Sequence, residues 1–587
     1  MNNGFEYLQE AKRLQKCGLI EQATELLQFC IDNDVESCEA SHQLGILKWG
    51  QHRFDEAINL IKNAIAKNPD VAQYRYNLGT MYQMLKRINE ALEEYEQVLK
   101  IDPEHSGALV NLSTLYCQAG RASESEMLCR LALKNDSGSS EIWNNLGNAL
   151  REQGRIDEAL NAYSLALGIN PHSVSYSNYL LCLCYQSSYQ QEHVFSEHKK
   201  WGTLKNVSED VFVKPAGKVK YPLRVGYVSG DFCDHAVSRF FLPVLVNHNR
   251  SNIEPYCYSN SRIYDAVTDK IKSLSTFRTI HLLSDDEVRC MIIKDEIDIL
   301  IDLSGHTAGN RLTLFAKRAA PVQGTYLGYP NTTGLNTIDF RITDELVDPE
   351  GQQQYHTEML MHLPHGFICY LPPESLPAIL EPPCLKNGFI TFGSFNNLVK
   401  ITPKVIELWS LLLLKFKDSR LLLKNRGFAD PKVREHYRNQ FLSRGISEDR
   451  LVFCGPLNSS FDHLAAYNQI DIALDTFPYN GTTTTCEALI MGVPVLALKG
   501  CWHASRVSYS ILSRIGLSSL CSTDQDHLLR NATHLLSDFD SLVKLRTSLR
   551  QAVLKSSLCD GKTLTEEIEQ VFLSVVEKKY FQRQHSI

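Results

Sequence analysis

Along the first 171 residues, apolar positions fall at helical spacing and the pattern repeats itself. Leu44-Gly45, Leu78-Gly79, Leu112-Ser113 and Leu146-Gly147 recur every 34 residues. Ala57, Ala91 and Ala159 keep that interval, Ser125 fills the missing place, and Ala23 extends the series backwards. Pro69, Pro103 and Pro171 close successive units, with Ser137 where the fourth proline would stand. Small residues let two helices approach closely, and each proline stops one helix before the next begins. Three columns in phase predict about five antiparallel helix pairs over residues 1–171, stacked into a right-handed solenoid with a concave face. Residues 172–205 stay helical in pattern but lose the period. They predict a cap on the solenoid's apolar end, and the polar stretch 205–222 predicts a linker, so that cap and linker span 172–221.

The period and residue types match the tetratricopeptide pattern. Arrays of this kind carry extended peptide on the concave face. Asn77, Asn111 and Asn145 each precede a recurring leucine. They either hydrogen-bond a peptide in the groove or bond neighbouring turns within the solenoid.

From Leu223 the pattern changes. Short apolar runs ending in Ser, Gly or Asp ("LRVGYVS", "IDILIDLS", "VQGTYLGYP", "IDFRITD") alternate with segments of helix length. After the proline-rich 373–388 a second series begins: "FITFGSF", "SRLLLKNR", "RLVFCG", "IDIALD", "VPVLAL". Continuously apolar strands alternating with helices predict parallel sheets covered on both faces. Two doubly wound domains are therefore expected, at 222–372 and 389–587, facing each other across a cleft. Ligands of such sheets sit at the carboxyl ends of the strands, so the chemistry belongs in the post-strand loops. Neither a GxGxxG nor a GxxxxGK[ST] stretch occurs there.

Four loops stand out. "TFPYNGTTTTCEALIMG" places Gly481 and Thr482, Thr483, Thr484 and Thr485 at a predicted helix start, where free N–H groups and the positive dipole end favour a phosphate. A plain cap needs one threonine. Glu487, a turn further on, either accepts from ribose hydroxyls or is a solvated helix residue. Lys400 follows a strand and immediately precedes the helix start Thr402-Pro403, where a cation neutralises a diphosphate. His235 follows the first strand of the first series, as an acid/base or sugar-contacting group or as a structural histidine. "SGHTAGNR" and "LGYPNTTG", with His306, Tyr329 and Pro330, suit a sugar, which needs hydrogen bonds and close backbone approach more than charge.

Composition narrows the choice. A net charge of -7 over 587 residues provides no basic field for nucleic acid. The longest apolar runs fall short of the ~20 residues a membrane span needs, and no secretory signal opens the sequence. Seventeen cysteines without metal-site spacing read as small buried hydrophobes in a reducing cytoplasm. No metal site is expected.

"LRVGYVSGDFCDHAVSRF", "APVQGTYLGYPNTTGLNTIDFRITD", "FITFGSFNNLVKITPKVIELW" and "LDTFPYNGTTTTCEALIMGVPVLAL" resemble, in order, the O-GlcNAc transferase/SPINDLY family. The resemblance covers nearly the whole chain, repeats included. It implies an α-solenoid of tetratricopeptide repeats followed by an α/β glycosyltransferase-B fold. It also implies inverting transfer of a sugar from a nucleotide donor to Ser/Thr of proteins, without metal or other cofactor. His235 matches the family's active-site histidine, and Lys400 the lysine that holds the diphosphate, with Asn397 near the nucleotide. Thr483, Thr484 and Glu487 match phosphate- and ribose-contacting positions. Thr482 stands where animal-type members carry histidine, and the "TTTTCE" version is nearer SPINDLY, which leaves UDP-GlcNAc and GDP-fucose both open as donors. The long insert of the animal enzymes between the catalytic halves is absent. Expected partners are protein acceptors in the repeat groove, the nucleotide sugar, and a second copy through the repeats. The alternatives are a transferase of the same fold acting on a glycan or small molecule, and a peptide-binding scaffold with a decayed catalytic half.

Overall fold

The computed structural model describes residues 3–186, 188–205 and 220–584, so most of the linker expected at 205–222 lies outside the described residues. The chain forms two compact units, Met1–Leu150 and Arg151–Ile587.

The first unit consists of the helix pairs Asn3–Lys16 with Ile20–Asp32, Ser37–Gly50 with Phe54–Lys67, Ala72–Met84 with Ile88–Ile101, and Ser106–Gln118 with Ala122–Asn135. A further helix, Ser140–Glu152, spans its end. The recurring leucines and alanines are buried, and the recurring glycine is where a second helix leans in: a Cβ on Gly79 would lie 2.8 Å from the Tyr95 ring. At the head of the second helix in the second, third and fourth pairs an arginine pairs with a glutamate three residues on: Arg53–Glu56, Arg87–Glu90 and Arg121–Glu124. The asparagine column makes side-chain bonds within the solenoid. Asn77 bonds His42 at 2.7 Å, Asn111 donates to Tyr95 at 3.1 Å, and Asn145 donates to Thr114 at 3.0 Å. These amides are engaged inside the solenoid, and Asn145 is buried.

The second unit holds two parallel sheets. The first contains β1 (Leu223–Ser229), β2 (Ile253–Ser259), β3 (Thr276–Thr279), β4 (Ile299–Asp302), β5 (Val322–Thr325), β6 (Phe340–Thr343) and β7 (Met359–His362), in the order β3-β2-β1-β4-β5-β6-β7. The second contains β8 (Thr391–Ser394), β9 (Arg420–Lys424), β10 (Leu451–Cys454), β11 (Ile472–Leu474), β12 (Val495–Leu498) and β13 (Cys521–Ser522), in the order β10-β9-β8-β11-β12-β13. Each is a doubly wound sheet with helices on both faces.

Several features were not apparent from pattern. β2 carries Pro255, which is tolerated because β3 begins to pair only at Tyr256. β3 and β7 are short edge strands, and β13 has two residues. The second compact unit begins at Arg151, within the last helix pair of the repeat series, whose second helix runs Ile156–Ile169 as the period predicts. The turn before the helix Ile156–Ile169 is held by its own lobe: Arg426 pairs with Glu152 at 3.3 Å. The helix Gly561–Gln584, expected with the second lobe, crosses back to the first. There Glu569 accepts from His248 at 2.9 Å and from the Asn249 N–H at 2.8 Å.

The cap helices Ser175–Leu183 and Gln191–Lys205 pack on the first lobe. Gly202 and Gly334 meet backbone to backbone, so that a Cβ on Gly202 would lie 1.8 Å from the Gly334 carbonyl oxygen. The 373–388 segment lies along the second lobe: Arg546 and Arg550 donate to the Leu380 and Pro377 carbonyls, and the Cys384 N–H donates to Asp471. All seventeen cysteines are free. No helix among the described residues is long and apolar enough to cross a membrane.

Candidate active site

Reversal of strand order leaves a crevice at the carboxyl ends of the two strands that flank it. In the first sheet these are β1 and β4; in the second they are β8 and β11. The loops after all four strands face one cleft of about 450 Å³. Asp231, His235, Thr307 and Pro330 line it from the first lobe, and Asn396, Asn397, Lys400, Thr482, Thr483 and Thr484 from the second.

Lys400 ends the single turn Leu398–Lys400 after β8, just before the helix Pro403–Lys415. Its ammonium donates to the Asn480 carbonyl at 2.8 Å and lies 4.0 Å over the Tyr479 ring. Tyr479 stacks on Tyr185 of the helical cap at 5.1 Å. Burial lowers the Lys400 ammonium to about 8, against the pull of the nearby Asp475 carboxylate. Asp475 ends β11's run and organises the turn: the N–H groups of Thr476 and Gly481 donate to its Oδ1 at 2.8 and 2.7 Å. Burial raises its carboxyl to about 6 despite these bonds and Lys400, and its Oδ2 is buried without a hydrogen-bond partner.

The four threonines divide by role. The helix runs Thr483–Ile490 with Thr482 at its N-cap, whose side chain makes no capping bond. Thr482 and Thr483 face the cleft. Thr484 lines it too, but donates to Asn396 Oδ1 at 2.9 Å, tying the loops after β8 and β11 together. Thr485 is buried, bonded to the Gly481 carbonyl and to Ser508. These bonds anchor the helix start, and Thr485 does not line the cleft. Gly481 supplies room: a Cβ there would lie 2.5 Å from Thr484 Oγ1. Glu487 faces a neighbouring hollow of about 300 Å³ at the ends of β9 and β10, with Lys424 and His463. It accepts from His463 Nε2 at 2.9 Å.

On the first lobe, His235 caps the helix Ala236–Asn247, its Nδ1 accepting from the Val237 N–H at 3.3 Å. Asp231 Oδ1 stands 3.7 Å from the same nitrogen, and burial raises the Asp231 carboxyl. Two expected contacts are corrected. His306 is buried behind the wall, bonded to Ser177 and the Thr333 carbonyl, and burial holds it well below the ordinary imidazole range. Tyr329 is buried as well, its hydroxyl 2.7 Å from His198 Nε2. The cap helices cover both from solvent. Thr307, Ala308, Gly328 and Pro330 of the same loops form the wall instead.

Asp475, Asn396, Tyr479, Tyr185 and His503 also belong to the site and were not singled out from sequence. Asp475 had a signal, an acidic residue closing an apolar strand before a glycine turn. Tyr185 had none, because its place depends on how the cap packs. Among the described residues, no group of three or more His, Cys, Asp or Glu is placed to hold a metal ion.

Two doubly wound lobes with both switch points opening on one cleft, and a lysine beside a hydroxyl-lined helix start, define the glycosyltransferase-B architecture. The chain belongs to glycosyl transferase family 41, whose pattern matches residues 205–371 and 383–568. Tetratricopeptide-repeat patterns match 42–106, 82–144 and 140–173. It is 40% identical over 405 residues to the "probable UDP-N-acetylglucosamine–peptide N-acetylglucosaminyltransferase SPINDLY" of Solanum lycopersicum, covering 68% of this chain and 44% of that protein. The corresponding protein SEC of Arabidopsis thaliana is 31% identical over 365 residues, covering 60% of this chain and 37% of its own length. The chain thus spans less than half the length of these relatives. A mutant of Thermobaculum terrenum O-GlcNAc transferase superposes with a TM-score of 0.82 at 33% identity, over 87% of this chain and 98% of that one.

Proposed function

We propose that the protein is a glycosyltransferase that moves a sugar from a nucleoside-diphosphate donor to Ser/Thr hydroxyls of protein acceptors, in one inverting, metal-independent displacement. The observation that carries this is the convergence of Lys400 and the Thr482–Thr484 helix start on one wall of the interlobe cleft. Both features stabilise the diphosphate as it departs with the electron pair of its bond to the anomeric carbon. Such preorganised charge contributes several kcal/mol where water is excluded. Asn396 and Asp475 hold the two loops in register. His235, half exposed on the opposite wall, orients the acceptor or the sugar. Glu487, in its hollow beside Lys424 and His463, is assigned to the nucleoside end of the donor.

The names of the relatives support a peptide acceptor and UDP-GlcNAc as donor. Free cysteines throughout the chain suit a cytoplasmic setting. Association of two copies through the repeats is part of the proposal, since Phe5, Leu19 and Phe29 leave apolar surface exposed near the first helix pair. Sedimentation velocity would show a dimer that Phe5→Glu disrupts. The deciding experiment is a labelling assay on a peptide array with radioactive UDP-GlcNAc and GDP-fucose, with and without EDTA. Transfer to Ser/Thr peptides unaffected by EDTA is expected; label on glycans or small molecules alone, or on nothing, would refute the reading.

A further inference from the structure

The single displacement proposed above releases a proton from the attacking hydroxyl, and His235 is poorly placed to take it. Its Nδ1 accepts from the Val237 N–H, so the neutral ring carries its hydrogen on Nε2 and has no free lone pair to offer. Another histidine on the same cleft has the opposite arrangement.

His503 lies on the second lobe in the turn after β12, and it lines the cleft with Phe367, whose ring meets its own edge to face at 5.2 Å. Its Nδ1 is 2.8 Å from Asp348 Oδ2 of the first lobe. Asp348 is fully buried, and its other oxygen has no hydrogen-bond partner. Burial alone would raise that carboxyl; His503, His356 and Arg341 together hold it well below the usual carboxylate range. A carboxylate accepting at Nδ1 fixes the hydrogen there and leaves Nε2 as the basic nitrogen. The turn that carries His503 is tied to the Lys400 loop: the neighbouring Ala504 carbonyl accepts from the Asn480 N–H at 2.8 Å, and the Asn480 carbonyl accepts from Lys400 at 2.8 Å. The histidine and the lysine are therefore linked through Ala504 and Asn480 by two hydrogen bonds along the same wall.

We propose that His503, backed by Asp348, is a catalytic residue of this cleft: its Nε2 accepts the proton of the acceptor hydroxyl as the oxygen bonds to the anomeric carbon. The bond from that carbon to the diphosphate breaks in the same step, the diphosphate takes its electron pair, and the proton rests on an imidazolium facing Asp348. This assignment rests on the sugar-transfer reading, and the pair spans both lobes, so it forms only when they are closed on each other as here.

His503→Gln keeps a hydrogen-bonding group beside Asp348 and cannot accept a proton. With the full chain, its kcat for peptide transfer should fall about 10²–10⁴-fold. Donor KM, nucleoside-diphosphate affinity by calorimetry and melting temperature should stay close to wild type. His503→Ala should show the same loss and recover about tenfold or more in added imidazole. Transfer by His503→Gln within threefold of wild type would overturn the assignment. So would rate, nucleotide affinity and melting temperature falling together without imidazole rescue, since that is the behaviour of a merely structural contact. A wild-type chain that transfers nothing would refute the sugar-transfer reading itself, whatever the variants do.

Discussion

The Lys400 ammonium and the Asn480 carbonyl oxygen are 2.8 Å apart, a bond between the first loop and the last turn of one switch point. Through it a cation is held in place before any anion arrives, over Tyr479 and beside the buried Asp475. Its worth is tested by Lys400→Met, which keeps the stem and removes the charge. Transfer should drop about 10²–10³-fold, with the melting temperature little changed. Near-normal turnover would dismiss Lys400 as the diphosphate's partner.

The same lysine sets a pH dependence. Its ammonium titrates at about 8 in the free protein. A bound diphosphate favours the charged form and raises that value, so binding takes up a proton above pH 8. Affinity for a nucleoside diphosphate should be level from pH 6.5 to 7.5 and weaken by up to about tenfold per unit above pH 8. Calorimetry in buffers of different ionisation enthalpy would read both the affinity and the proton. The Lys400→Met protein should show neither effect, and an identical slope in that variant would assign the titration elsewhere.

Asp475 is kept at a cost in stability. Its carboxyl titrates at about 6 in the folded chain against an ordinary 3.8. Folding therefore favours the protonated form, and stability is lost as pH rises through that window and stays lost above it. The shift corresponds to about 3 kcal/mol at most. Asp475→Asn, which still offers an oxygen to Gly481 and Thr476, should melt higher than wild type at pH 7.5 but not at pH 4. It should transfer more slowly, because Lys400 loses the carboxylate that sustains its charge. A variant that melts lower at pH 7.5 would show that the hydrogen bonds outweigh the burial.

The cap depends on one close approach. Gly202→Ala would put a methyl 1.8 Å from the Gly334 carbonyl oxygen, a backbone atom that no rotamer change can move. Strain of this kind costs about 1–3 kcal/mol or more. Thermal unfolding should show the loss, and catalysis should fall with it because Tyr185 of the cap stacks under Lys400's partner Tyr479. A variant as stable as wild type would mean that the cap is free to shift.

Periodicity by itself determined the helix pairs and the two strand–helix series, because burial of one face imposes a repeat along the chain. The loops that carry the site followed from that: in a parallel sheet, every post-strand loop comes out at the same edge. Lys400, His235 and Thr482–Thr484 could be named from their position after a strand or at a helix start. Only the tertiary structure decided which of the residues in those loops face the cleft. His306 and Tyr329 sit in the right loops but point behind them, because cap helices more than a hundred residues earlier cover that side. Thr485 turns into the core while its neighbour Thr484 clasps Asn396. The Asp348–His503 pair joins residues 155 positions apart on different lobes. No local pattern records such a contact, since it depends on how two separately folded sheets meet.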